Sequence, residues 1–305
     1  MPHTSRQKRT SNPAQKRLQV TSSDGWTHVT SSNNVRRVMR TSRVPSAAQA
    51  KEEEESILGP AEAPARLTFD DLQTQYAAHQ DRWVESETWK TLSKLLAEQM
   101  RERERIVLND DTAWGPVDAI VCIGLGSPSG FLRDGWVDRR TVSMYQLAAL
   151  DSMATQLSRS FNSFPFSSRS FQFCKTNSSR KKEGPDDSIP FSFPIYAQDP
   201  VFNGLDCLLL ESLGITIVND PVAFERITQN TLLFCPGAEK KHLELVLPSN
   251  PCLVFGGPLE MADSEVIQSY TSRVESRGLV PFTINEHAFW KMRLYFRKEE
   301  AQEEE

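Results

Sequence analysis

The stretch Gly124-Leu125-Gly126-Ser127-Pro128-Ser129-Gly130 directly follows an apolar run, where glycines let a bare backbone approach a phosphate, a carboxylate or a cofactor. As a dinucleotide fingerprint it is imperfect. The third glycine of G-x-G-x-x-G falls at position 129, which is Ser, and Pro128 removes one N–H donor. A second apolar run ends in Asp199-Pro200, placing an acid where dinucleotide-binding sheets grip a ribose hydroxyl. Three further runs end in Asn219-Asp220-Pro221, Cys235-Pro236-Gly237 and Gly256-Gly257-Pro258. Gly124, Gly126, Ser127, Asp199, Asn219 and Gly237 thus form the candidate ligand-binding set. Each also has a structural reading: glycines make tight turns, and Asp before a helix caps it.

Nothing in the sequence has the spacing of an activated nucleophile or a metal site. His242 and His287 stand apart from Cys235, and no H-x-x-x-H or paired carboxylates would hold zinc. Cys235 lacks a basic neighbour that would make it reactive, so it reads as a buried structural thiol. The five cysteines are scattered and never form C-x-x-C, which points to reduced thiols in a cytoplasmic or nuclear protein. No apolar run approaches the roughly 18 residues of a membrane span, and no secretory signal opens the chain, so no membrane association is expected.

The elements that must position these residues follow from hydrophobic periodicity. From Val117 onward, short apolar runs alternate with helical segments, the pattern of βα units. The expected strands are 118–123, 193–198, 215–218, 231–235, 251–255 and 279–283, with helices at about 142–157, 202–213, 221–227, 239–247 and 264–276. Strands so uniformly apolar are covered on both faces. The expected fold is therefore α/β, a Rossmann-like, doubly wound, mostly parallel sheet of about six strands. Ser143-x-x-Gln146 reads as a capping box, and Gly214 as a helix C-terminal cap. Before this sheet, Thr68-x-x-Asp71 can cap one or two amphipathic helices reaching Arg105, whose stripe including Trp83 and Trp89 reads as a docking face.

Hydrophobic residues make up 38% of the chain, which suggests a core diluted by polar tracts. Residues 1–65 read as a disordered basic arm and charged linker. The arm is a weak candidate for nucleic-acid contact or nuclear import, and the net charge of -5 argues against a larger nucleic-acid role. The folded domain is expected over 66–297, interrupted by a disordered Ser- and Arg-rich insertion at 158–190 that is open to phosphorylation, with an acidic tail at 298–305.

Taken in order, Ile123-Gly124-Leu125-Gly126-Ser127, Tyr145-Gln146-Leu147-Ala148, Asp199-Pro200-Val201-Phe202, Leu213-Gly214 and Thr231-Leu232-Leu233-Phe234 resemble the Sensitivity to Red Light Reduced family of eukaryotic regulators, in a fungal-type form. The similarity covers about 115–260, and Asp24-Gly25-Trp26-Thr27 is similar to a tryptophan-containing segment near the start of family members. The resemblance implies regulation linked to light and circadian responses, gene expression and stress or cytoskeletal phenotypes, and it brings no assigned catalytic activity. Family members commonly carry Pro-His-Cys after the fourth strand. This chain has Cys235-Pro236-Gly237-Ala238-Glu239 instead, which removes any histidine chemistry from that place. Two readings stay open, with the cofactor unknown in either. One is a regulator with protein partners that senses a small ligand. The other is a nucleotide-cofactor enzyme, such as an S-adenosylmethionine-dependent methyltransferase. The residues lean away from an enzyme.

Overall fold

A computed structural model describes residues 17–21, 27–31, 59–109, 116–131, 138–162 and 193–298. The chain separates into two units, residues 1–57 and 58–305. In the first, β1 (Arg17–Thr21) and β2 (Thr27–Ser31) pair antiparallel, with Arg17 opposite Ser31. This departs from the expected structureless arm. Alternation of Leu18 and Val20 with polar residues, and β-branched Thr27, Val29 and Thr30, suit a strand even inside a basic composition. The Asp24-Gly25-Trp26 stretch joining them lies outside the described residues.

The second unit is described from residue 59. α1 (Phe69–Glu85) starts at Thr68, whose side chain accepts from the Asp71 N–H while the Asp71 carboxylate accepts from the Thr68 N–H. α2 (Glu87–Asn109) follows directly. Then come β3 (Ala119–Ile123), α3 (Arg140–Asn162), β4 (Ile195–Gln198), α4 (Gly204–Ser212), β5 (Thr216–Ile217), α5 (Val222–Glu225), β6 (Thr231–Cys235), α6 (Lys240–Val246), β7 (Leu253–Gly256), α7 (Glu265–Ser272), β8 (Val274–Gly278) and β9 (Arg293–Arg297).

Seven strands form one sheet in the order β5-β4-β3-β6-β7-β9-β8. The first five run parallel, and β9 and β8 add antiparallel pairings beyond β7. The sheet is mostly parallel as the alternation predicts, but it has seven strands and not six. The expected strand at 279–283 does not form. Pro281 cannot donate to a ladder, and Phe282 instead turns into the core, while β8 takes the last residues of the expected helix at 264–276. β8, with sequence VESRG, has no apolar run because an edge strand meets the core with little of its surface.

Each face of the sheet carries its own core. Ile120, Cys122, Ala197, Leu232 and Phe234 pack with α1, α2, α3 and α4, while Val121, Ile123, Leu233 and Val254 pack with α5, α6 and α7. This in-and-out alternation along one fully buried strand explains why β3 and β6 read as unbroken apolar runs. Leu213 ends α4, Gly214 follows at φ 75°, and the Ile215 N–H reaches back to the Leu210 carbonyl, so the expected glycine cap holds.

The aromatic stripe of α1 and α2 is a docking face. The Trp83 ring lies 4.7 Å from Phe289, 5.5 Å from Phe282 and 5.8 Å from Trp89. Trp83 is fully buried, and its indole N–H has no hydrogen-bond partner. Trp83→Phe is accordingly expected to cost only about 1–2 kcal/mol, because the cavity it leaves is partly offset by removal of an unsatisfied donor. The shift in urea midpoint at constant slope measures it.

Two local expectations fail on helix limits. α3 begins at Arg140, so Ser143 and Gln146 sit inside the helix and do not cap it. The Gln146 amide donates to the Ala288 carbonyl at 2.8 Å. α3 also runs on to Asn162 with Ser158 buried, taking the first residues assigned to the 158–190 insertion. The rest of that insertion and residues 299–305 of the acidic tail lie outside the described residues.

Candidate functional site

β3 and β6 are neighbours, and the strand order reverses between them, so the loops leaving their carboxyl ends meet at the point where an α/β sheet offers a crevice. Gly124 leaves β3 at φ 73° and Gly126 follows at φ 74°, a region that side chains disfavour. A Cβ on Gly124 would stand 2.5 Å from the Gly237 carbonyl carbon, and one on Gly237 would stand 2.5 Å from the Gly124 oxygen. The structure therefore brings these two candidates together as a backbone-to-backbone contact. A Cβ on Gly126 would meet only the Ser143 hydroxyl, at 2.7 Å.

Asp199, at the end of β4, is tied to the same loop. Its Oδ2 accepts from the Gly126 N–H at 2.8 Å and its Oδ1 from the Val201 N–H at 3.1 Å. Burial pushes the Asp199 carboxyl above the usual carboxylate range. The two N–H donors and the charge of His242 work against that rise, and the Asp206 charge adds to it. A carboxyl raised in the folded chain stabilises the fold below its unfolded value of about 3.9, and that contribution is lost as pH rises through the folded value. On lowering pH from about 7 to 4, the stability difference between the wild type and Asp199→Asn is therefore expected to move in the wild type's favour; denaturant titrations at each pH check the sign.

Ser127 belongs to a second, deeper knot. Its hydroxyl donates to Asp206 Oδ2 at 2.6 Å and accepts from the Gly130 N–H at 2.8 Å. Asp206 is fully buried and also accepts from the Ser129 N–H at 2.9 Å and the Asn203 N–H at 3.0 Å. Asn203 caps α4 through its own side-chain oxygen, and its amide nitrogen donates to Ser129 Oγ at 2.9 Å. Ser129, standing where a dinucleotide loop has its third glycine, thus has both its N–H and its hydroxyl engaged. Sequence reasoning missed Asn203 and Asp206. The Asn203-x-x-Asp206 spacing at the start of a helix is the capping-box signal that would have found them.

The remaining candidates lie at the rim. Asn219 is exposed after β5, and its carbonyl accepts from the Val222 N–H at 2.8 Å. On α6 the His242 ring stacks on Phe224 at 5.5 Å. Burial pushes the Cys235 thiol up to about 12 and the Cys122 thiol well above its ordinary value, so neither is a thiolate at neutral pH. Among the described residues, no group of three or more His, Cys, Asp or Glu could hold a metal ion, and no helix is long and apolar enough to cross a membrane. A solvent-open groove of about 490 Å³ lies elsewhere, lined by Arg66, Asp71, Gln75 and Arg140.

No curated protein matches the chain. The family model for the SRR1 domain matches residues 92–296, from within α2 into β9, and so takes in all of the seven-stranded sheet but Arg297 and every candidate ligand-binding residue. The chain belongs to the SRR1 domain family.

Proposed function

We propose that this chain is a non-enzymatic regulator of the kind its family suggests, acting in light, circadian, gene-expression or stress responses through protein contacts in the cytoplasm or nucleus. Its platform is a Rossmann-like, doubly wound sheet: five parallel strands with a reversal of order, and helices on both faces. One observation carries this reading. The polar groups at the strand ends are engaged with one another, Asp199 with Gly126 and Val201, and Asp206 with Ser127, Ser129 and Asn203. Such wiring makes a stiff scaffold. Catalysis asks instead for an acid or base aimed at a reacting atom.

The strand-order reversal favours a second reading, a nucleotide cofactor such as S-adenosylmethionine held by Gly124, Gly126, Ser127, Asp199, Asn219 and Gly237. A thermal-shift screen with S-adenosylmethionine, nicotinamide and flavin dinucleotides, nucleotides and haem separates the two. A ligand at a hundred times its Kd adds about 2.7 kcal/mol. The regulator reading, which includes sensing a small ligand, expects no stabilisation by S-adenosylmethionine. Stabilisation by S-adenosylmethionine that vanishes in both Gly126→Val and Asp199→Asn would establish the second reading.

A further inference from the structure

β8 (Val274–Gly278) ends the sheet: β9 pairs with it on one side, and among the described strands none lies on the other. An antiparallel strand turns its backbone hydrogen-bonding groups alternately toward and away from its neighbour. The Leu279 N–H, next along from Gly278, donates to the Met292 carbonyl at 3.2 Å, which fixes the phase of that alternation. Glu275 and Arg277 therefore bond inward to β9, while Val274, Ser276 and Gly278 turn their N–H and carbonyl groups outward. Residues from Glu275 to Gly278 are half-buried or exposed, so this edge is open as it stands. The Arg293 guanidinium touches the Ser276 carbonyl at 3.5 Å and leaves it a second lone pair.

Charge on an edge strand commonly keeps other strands away, but the charges of β8 complement themselves. Glu275 and Arg277 lie on the same face, 3.5 Å apart, with side chains 44% and 61% exposed. When two copies of β8 are laid antiparallel about a two-fold axis, the register centred on Ser276 overlaps all five residues. It sets Glu275 of each copy opposite Arg277 of the other. Ser276 then faces itself and exchanges two backbone hydrogen bonds, and Gly278, with no side chain to intrude, comes opposite the buried Val274. Shifting the axis by one residue either way sets Glu275 against Glu275 or Arg277 against Arg277, like charges that repel. Exposed apolar side chains flank the edge. Met261 adjoins Glu260, whose carboxylate accepts from Ser276 Oγ at 3.1 Å, and Val280 lies two residues beyond β8.

We infer that β8 is a self-association edge, to which a second copy of this chain adds its own β8 antiparallel, centred on Ser276, so that one sheet runs through a two-fold dimer. The pairing uses groups that already face outward and needs no segment to move. It is independent of any small ligand at the carboxyl ends of the parallel strands.

Sedimentation velocity of the full chain over a roughly hundredfold range of concentration should show a reversible monomer–dimer equilibrium. By symmetry each substitution acts on two cross-strand pairs, so Glu275→Arg and Arg277→Glu should each weaken the dimer at least about tenfold. An equimolar mixture of these two variants should dimerise again. The double swap Glu275→Arg with Arg277→Glu should dimerise by itself, because the register centred on Ser276 still opposes unlike charges. In the wild type, the Val274, Ser276 and Gly278 amides should exchange more slowly as concentration rises. A wild type that stays monomeric throughout the range would overturn the inference, as would a dimer that neither single variant weakens. A mixture or a double swap that keeps the wild-type urea midpoint but does not dimerise would overturn it too. Should the variants fail to fold, the wild-type amides decide: exchange at these three positions that ignores concentration refutes the pairing.

Discussion

Replacing Asp206 with alanine is expected to lower the unfolding free energy by about 3–5 kcal/mol, because it strands the Ser127 hydroxyl and the Ser129 and Asn203 N–H groups inside the fold. Every one of those donors points at a carboxylate that has no exposed surface, so water cannot take over without opening the loop. Asp206→Asn retains one acceptor oxygen and should cost roughly half as much. Equilibrium urea unfolding with an unchanged slope would measure both. If Asp206→Ala were neutral, the knot beneath the glycine loop would contribute nothing to holding it.

Gly124→Ala is the second large effect, expected at about 3–5 kcal/mol, since it adds a positive-φ penalty to a collision with a backbone that cannot swing aside. Gly126→Ala has the same φ but meets only a serine hydroxyl that can rotate, so about 1–2 kcal/mol is expected. The pairing of Gly124 with Gly237 adds a sharper criterion. Gly237→Ala should be costly by itself, and the double variant should cost less than the sum, because both added methyls push apart the same two strand-end loops. Strict additivity in thermal or urea unfolding would show that the two glycines are not in contact.

The parts of this fold that were legible are those in which a local pattern and a tertiary environment agree. β3 and β6 are buried on both faces, and so are written as continuous apolar runs. β8 is not legible because an edge strand carries charge, and β9 is not because it enters the sheet out of sequence order, between β7 and β8. Ser143 and Gln146 misled for a different reason: a three-residue offset recurs throughout a helix, and only the preceding turn at Arg140 shows that these two lie inside it. At the site, glycine spacing exposed the loop, but the groups that grip it come from far along the chain. Asp199 meets Gly126 across 73 residues and Asp206 meets Ser127 across 79, pairings that no window of local sequence contains.

The place of β9 in the sheet has a consequence for synthesis. Among the described strands it is the last to leave the ribosome, yet it lies between β7 and β8. Until residues 293–297 emerge, β7 shows an open edge of apolar Leu253, Val254 and Phe255, and β8 waits without its neighbour. Folding can assemble the five parallel strands as the chain grows, but β8 gains its place in the sheet only once residues 293–297 have paired with β7, because β9 is the strand it pairs with. A nascent chain stalled before that step presents the kind of unpaired strand that chaperones cover and aggregates recruit.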